Sequence, residues 1–436
     1  MEFSDLYKQT NSNLVSFSPD GKYLAVAVEH RLIIRNSDSP KTIHRVFSCA
    51  YDAAPFIQDL AWSPDSQFIF TASYATNRVD VWSLSDETWR CSIVDEVACI
   101  ESALWAAGSG RHILTFSELD LRLSIWSISD ADERRYIQLP KARVPPVFHP
   151  GGEFMAVAQR RDYHDVVGIY DTLSWTLVRE VAVDTMDLAG LRWSPDGFHL
   201  AAWDVAGSFR VVVMDVGGAV KRPYTEDVVG VRACAWAPGG QLLAVAGLDE
   251  KIRMLNHLTW RPLATLACRP QGIPASADVF TEVEIGSATG LDAARVRTRF
   301  DLETAPAIRV VVPADVHRAD RKMGVSAEFC ADGSLLACLC ESMPHAVWIW
   351  SVSDMRLVAV VQTLRAVRAW AWSPVENSLA VATGAPAVCL WRAGDGCMLC
   401  EYQSATVAAT SVLWNPNGDS LAVLSKGVFM LAYLSE

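Results

Sequence analysis

A short turn recurs along the whole chain and limits what it can fold into. In Trp193-Ser-Pro-Asp-Gly-Phe-His-Leu-Ala201 an apolar run ends in an aromatic residue, a polar turn follows, and a second apolar run begins. Proline presets φ and glycine supplies a positive φ, so the unit reads as a β-hairpin. The aromatics before the equivalent turns are Phe17, Trp62, Trp105, Phe148, Trp193, Trp236, Phe329, Trp372 and Trp414, spaced 42 to 45 residues apart except for one gap of 93.

After each turn comes a small apolar run, such as Leu24-Ala-Val-Ala27, Leu242-Leu-Ala-Val245 or Leu379-Ala-Val-Ala382. These runs are continuous, which suits strands buried on both faces. A third run carries a late tryptophan in Val81-Trp82, Ile125-Trp126, Ile349-Trp350 and Leu390-Trp391, and a fourth closes the unit. Four short strands in a period of 40 to 45 residues is the signature of WD repeats. The expected fold is all-β, a WD-repeat β-propeller of nine blades in one ring spanning 1–436. The last unit has room for three strands only, so the segment holding Phe3, Leu6 and Tyr7 is expected to supply its outer strand and close the ring.

The 93-residue gap holds an insertion, 267–324, between blades six and seven. Val279–Ile285 and Ile308–Val312 read as strands, joined by a stretch with Gly286, Gly290, Arg295, Arg297 and Arg299. The expectation is a β-hairpin extending blade six; a degenerate tenth blade is the alternative.

Composition narrows function more than fold. Half of the residues are hydrophobic and a fifth charged, enough for a large core throughout. No apolar run of about 18 residues occurs, and the N-terminus lacks the basic and apolar regions of a secretory leader, which predicts a cytosolic protein without membrane spans. A net charge of −12 disfavours direct contact with nucleic acid, anionic membrane or the acidic microtubule surface. The 11 cysteines read as free thiols. Cys397 and Cys400 form a CxxC and Cys338 and Cys340 a CxC, but no second pair completes a zinc site, so no metal and no cofactor is expected.

No nucleophile elbow, phosphate-binding loop or paired histidine motif is present, and an enzyme is not expected. A hydrolase built on the central channel would need clustered titratable groups, and Asp59, Glu101, Arg192, Arg232 and Arg368 are too mixed to provide one. Propellers bind through the loops joining second to third strands and blade to blade. The candidate partner-binding residues there are Glu118, Asp120 and Arg122 in blade three; Arg160, Arg161, Asp162, Tyr163 and His164 in blade four; Trp203 and Asp204 in blade five; Asp249 and Lys251 in blade six; and Met343 and His345 in blade seven. Exposed Arg, Tyr and Trp are frequent interface anchors.

Several blocks are more particular than the turns: Phe17–Ala25 followed by His30-Arg31-Leu32, Arg160-Arg161-Asp162, Ala202-Trp203-Asp204, Lys251–Trp260 and Ala346–Trp350. In these the chain resembles the WRAP73-type WD-repeat family over essentially its full length, as a fungal member. That resemblance implies a centrosomal or spindle-pole adaptor in the cytoplasm and cytoskeleton. It would pair with a coiled-coil anchoring protein and, through it, a minus-end-directed kinesin, tethering microtubule minus ends. It implies no catalytic residues. The charge adds that microtubules are held only through partners. The competing reading is a propeller subunit of a translation or RNA-associated complex, which basic patches with interleaved aromatics would favour; none is evident.

Overall fold

The computed structural model describes residues 1–10, 14–49, 56–108, 110–118, 121–130, 132–141, 143–205, 207–221, 223–285, 297–303, 308, 324–402 and 407–434. They form nine sheets, eight of them wholly antiparallel, and no α-helix. Blade one is typical, with strands Val15–Phe17, Tyr23–Val28, Arg31–Asn36 and Ile43–Ser48 from the axis outward.

The repeated turn is built by its own side chains. In blade five the Ser194 amide donates to His199 O at 2.7 Å, Gly197 N–H donates to Ser194 O at 2.9 Å, and His199 N–H donates to Ser194 Oγ at 2.9 Å. Ser194 Oγ donates in turn to Asp196, whose Oδ1 also accepts Phe198 N–H at 3.0 Å. Gly197 has φ +76°, and a Cβ there would lie 2.3 Å from His149 Nε2 of the preceding blade. Glycine is therefore required both for the turn and for the approach of its neighbour. Within the blades the late aromatic ties third strand to second: Trp82 Nε1 donates to Thr71 Oγ1 at 3.0 Å, and Trp126 Nε1 to Thr115 Oγ1 at 2.8 Å.

The core is divided between the blades. Nine apolar clusters fill the nine seams, one for each pair of neighbours around the ring. At six seams the anchor tryptophan donates its indole N–H to the inner strand of the blade before it, always to the carbonyl of the residue preceding that blade's own anchor. The acceptors for Trp62, Trp105, Trp193, Trp236, Trp372 and Trp414 are Ser16, Ala61, Val147, Arg192, Glu328 and Ala371, at 2.8 to 3.1 Å. The remaining seams fall at Phe17, Phe148 and Phe329, in blades one, four and seven, which have no such donor.

Blade nine joins the two ends of the chain. Its inner three strands are Ser411–Trp414, Ser420–Ser425 and Val428–Tyr433. The N-terminal strands Glu2–Phe3 and Tyr7–Lys8 pair antiparallel with the last of these, Phe3 opposite Ala432 and Tyr7 opposite Phe429. Buried Gln9 donates to Ser425 O at 2.5 Å and Val428 O at 3.1 Å. Asn415 Nδ2 reaches Gly21 O of blade one at 3.1 Å, and Tyr433 OH reaches Ser37 O at 2.9 Å. The ring is closed by the N-terminal strand.

The insertion departs from expectation in its attachment. Asp278–Ile285 and Arg297–Leu302 form an antiparallel hairpin, but Asp278–Ile285 runs parallel to Arg356–Gln362, the outer strand of blade seven. The hairpin therefore extends blade seven to six strands, not blade six. Its second strand is Arg297–Leu302; of the expected strand at 308–312, all but Ile308 lies outside the described residues, as do Gly286, Gly290 and Arg295. The choice of partner strand rests on burial. Phe280 and Phe300 join the apolar cluster between blades seven and eight, together with Trp372 and Trp391.

Candidate functional site

The face formed by the second-to-third-strand corners and the interblade loops carries most of the candidate residues, supported beneath by buried ion pairs. In blade three, Arg122 holds the buried Asp95 with both carboxylate oxygens at 2.6 Å and lies 4.9 Å over the Tyr136 ring. Burial pushes the Asp95 carboxyl up, but the Arg122 side chain and the Val97 and Ala98 amides outweigh it and hold the pKa below the usual carboxylate range. In blade six, Arg253 bridges Asp249 and Glu226 at 2.5 to 3.0 Å.

Blade four has the longest second and third strands. Its second and third strands, Phe154–Arg161 and His164–Asp171, are eight residues long where most neighbours have six. Asp162 and Tyr163 turn between them at φ +47° and +66°, a pattern that matches the twist of a tight hairpin. Arg160, Arg161, Asp162, Tyr163 and His164 are all exposed at this tip. Below it, Asp165 is buried and accepts Lys141 Nζ at 3.0 Å, Thr185 Oγ1 at 2.9 Å and the Leu188 amide at 2.5 Å. Burial raises its pKa, yet these bonds prevail and the carboxyl sits low. Lys141 also reaches Asp187 at 2.5 Å, and Arg160 meets the same carboxylate at 3.3 Å. The tip is thus tied to both interblade loops beside it.

Exposed apolar side chains crown this network: Tyr163 at 92%, Met186 at 71%, Leu121 at 55% and Leu139 at 54%. Leu139 N–H donates to Leu121 O at 3.2 Å, tying the blade-three corner to the start of the segment that leads into blade four; Met186 adjoins Asp187. Similar residues, Phe56, Val97 and Val229, stand out on the loops leading into blades two, three and six. A run of exposed apolar side chains on a rigid polar base is what a protein-binding face presents.

The WD domain, G-beta repeat, family model matches residues 42–83 and 224–256. The mouse WD repeat-containing protein WRAP73 is 33% identical over 457 aligned positions, which cover 100% of this chain and 96% of that protein. The chain belongs to the WRAP73 family of WD-repeat proteins. An uncharacterised WD-repeat protein of Schizosaccharomyces pombe is 23% identical, covering 87% of this chain and 78% of its own. Among solved structures, the C-terminal WD40 domain of Sif2 superposes with a TM-score of 0.56 at 12% identity, covering 100% and 99% of the two chains, and shares the fold.

Within this family member the candidate residues separate into two groups. Arg160, Arg161, Asp162, Tyr163 and His164 stand exposed at the blade-four tip, where Arg160 meets Asp187 and the Tyr163 carbonyl at 3.3 and 3.5 Å and Arg161 forms a 2.5 Å ion pair with Glu180. Glu118 is exposed in blade three, and Asp120 lies outside the described residues. The others are committed within the chain. Arg122 serves Asp95. Asp204 is fully buried and accepts the amides of Met186, Asp187 and Val205 at 2.9 to 3.0 Å. The Trp203 ring covers Gly190 so closely that a Cβ there would lie 2.1 Å away. Asp249 serves Arg253, Lys251 lies 3.8 Å from Asp249, and Met343 is buried. His345 is half-buried, with Nδ1 unbonded.

Met186, Leu121 and Leu139 are contributors the polar motifs do not reveal. Their signal is an apolar residue in a loop otherwise rich in Ser, Asp and Glu, as in Asp184-Thr-Met-Asp187. No group of three or more His, Cys, Asp or Glu that could hold a metal occurs among the described residues.

Proposed function

We propose that this protein is a non-enzymatic adaptor of the spindle pole or centrosome, which binds a coiled-coil anchoring protein and, through it, a minus-end-directed kinesin to tether microtubule minus ends. Kinship to mouse WRAP73 along the full chain supports the family role. The observation that carries the binding mode is the exposed apolar set Leu121, Leu139, Tyr163 and Met186 above the Lys141–Asp165–Asp187–Arg160 network. A helical partner with an apolar stripe buries such knobs without requiring the propeller to move. The net charge of −12 opposes the acidic microtubule lattice, so filament contact runs through the partner.

Cross-linked affinity purification from mitotic cells tests this. The expected result is a spindle-pole coiled-coil protein cross-linked near Tyr163 and Met186, with recovery lost in a Tyr163→Glu, Met186→Glu variant. Recovery of ribosomal subunits instead would overturn it. So would co-sedimentation of the purified protein alone with microtubules at physiological salt.

A further inference from the structure

The inserted hairpin creates a cleft that the regular blades lack. Strand alternation places Phe280, Glu282 and Glu284 of its first strand, and Thr298 and Phe300 of its second, on the side turned toward blade eight. The lower half of that side is closed. Phe280 and Phe300 pack with Cys397 and Leu399 of blade eight, and a Cβ on Gly396 would lie 3.0 Å from Phe280.

The upper half stands open, as a cavity of about 400 Å³ between the hairpin and Gly396–Glu401, the outer strand of blade eight. A groove continues from it along the two strands, between Thr298–Phe300 on one side and Cys397–Leu399 on the other. Both strands are the last in their sheets, so their outward edges pair with no strand among the described residues. Free edges of this kind accept an extended chain.

The lining selects what enters. Leu364, Leu399 and Tyr402 give apolar surface; Glu282 and Glu284 stand on one wall and Glu401 on the other. Glu282 is buried, accepting Thr298 Oγ1–H at 2.7 Å and Leu364 N–H at 2.9 Å, which fixes a carboxylate at the base. Glu284 and Glu401 are exposed at the mouth. Three arginines also border the cleft: Arg365 is engaged with Gly384 O at 3.0 Å, Arg299 along the groove is paired with Asp301 at 2.7 Å, and Arg297 stands exposed at the rim.

We propose that this cleft binds an extended, basic segment of a partner protein. The segment runs along the edge of Arg297–Leu302 that pairs with no described strand, and one Arg or Lys enters the cavity. Its cationic end meets Glu284 and Glu401, and its methylenes lie on Leu364, Leu399 and Tyr402. This site lies apart from the blade-four tip and does not depend on the spindle-pole reading.

The test uses the full chain and a fluorescein-labelled decapeptide of alternating valine and arginine, read by fluorescence polarisation, beside a valine–glutamate counterpart. The expected result is binding of the arginine peptide only. It should weaken at least tenfold in a Glu284→Lys, Glu401→Lys variant and severalfold in the milder Glu401→Gln. A control variant, Asp86→Lys with Asp132→Lys, makes the same change in net charge on remote loops and should alter binding less than twofold. Equal losses in the two charge-reversed variants would show attraction to the overall charge and overturn the site, as would no binding of the arginine peptide or equal binding of the glutamate peptide.

Discussion

Six seams of the ring carry an indole-to-carbonyl bond and three do not, and the three are held in other ways. At the seam into blade one, where Phe17 stands, the N-terminal strands are laid across blade nine, and Asn415 and Tyr433 reach over to Gly21 and Ser37. At the seam into blade seven, where Phe329 stands, Glu250 of blade six accepts the Ser342 amide at 3.0 Å and its hydroxyl at 2.5 Å. That seam also holds an extensive apolar cluster reaching from Ala235 to Val360. At the seam into blade four, Phe148 packs against an apolar cluster that includes Leu104, Leu114 and Phe116 of blade three, and Trp175 meets His112 edge-on at 5.2 Å. A tryptophan joins two blades by a bond local to the repeat, whereas a phenylalanine leaves the joint to contacts from elsewhere in the chain.

Deleting residues 1–8 attacks the seam with the most external support and should have the largest effect, a fall in the unfolding midpoint of about ten degrees or more. An unchanged midpoint in a thermal scan would show that closure needs no N-terminal strand. Trp193→Phe should remove one indole bond and some buried volume, costing about 1–3 kcal/mol by urea denaturation. Glu250→Ala should cost about 1–2 kcal/mol at the seam into blade seven. If Glu250→Ala proved silent, the apolar cluster alone would hold that joint. Phe148→Trp should have the smallest effect, a gain of up to about 1 kcal/mol if the new indole reaches the blade-three carbonyl.

Acid separates the seams from the corners. The indole bonds do not titrate, but Asp95, Asp165 and Asp249 all hold folded-state pKa values below the ordinary one. For such groups the unfolded chain binds protons first, so their stabilisation is complete above the ordinary carboxylate pKa, about 4, and is lost as pH falls through the lower folded values. Urea midpoints should therefore decline below about pH 4, after a smaller decline between about pH 7 and 5 as His44 and His199, whose folded pKa values burial holds below the ordinary one, are protonated more readily in the unfolded chain. An Asp165→Asn variant should show a shallower decline.

The anchors make the seams legible in the sequence, because Trp or Phe at one position of each repeat states whether a bond to the previous blade exists. Closure follows from counting strands at the two ends. The attachment of the hairpin does not follow. Alternation in Val279–Ile285 reveals a strand, but its pairing with Arg356–Gln362 across some 80 residues is decided by where Phe280 and Phe300 find apolar cover. The face was half legible. Arg122, Asp204 and Asp249 have the composition of exposed loop residues, yet each closes a bond inside the chain, and short-range pattern does not distinguish a solvated carboxylate from one that caps a loop. Tyr163 was legible because the Arg-Asp-Tyr-His run sits at a hairpin tip.

The bond from the Leu431 amide to Ser4 Oγ, at 2.9 Å, spans 427 positions of sequence. During synthesis the first strand emerges long before its partner exists. At about 5–20 residues per second, its apolar side chains wait on the order of a minute for residues 428–433 to leave the ribosome. The earlier blades can stack as they appear, since their joints are sequential, but the final one is a timing problem as well as a packing one. A nascent chain of this protein is therefore an open arc until its last strand arrives.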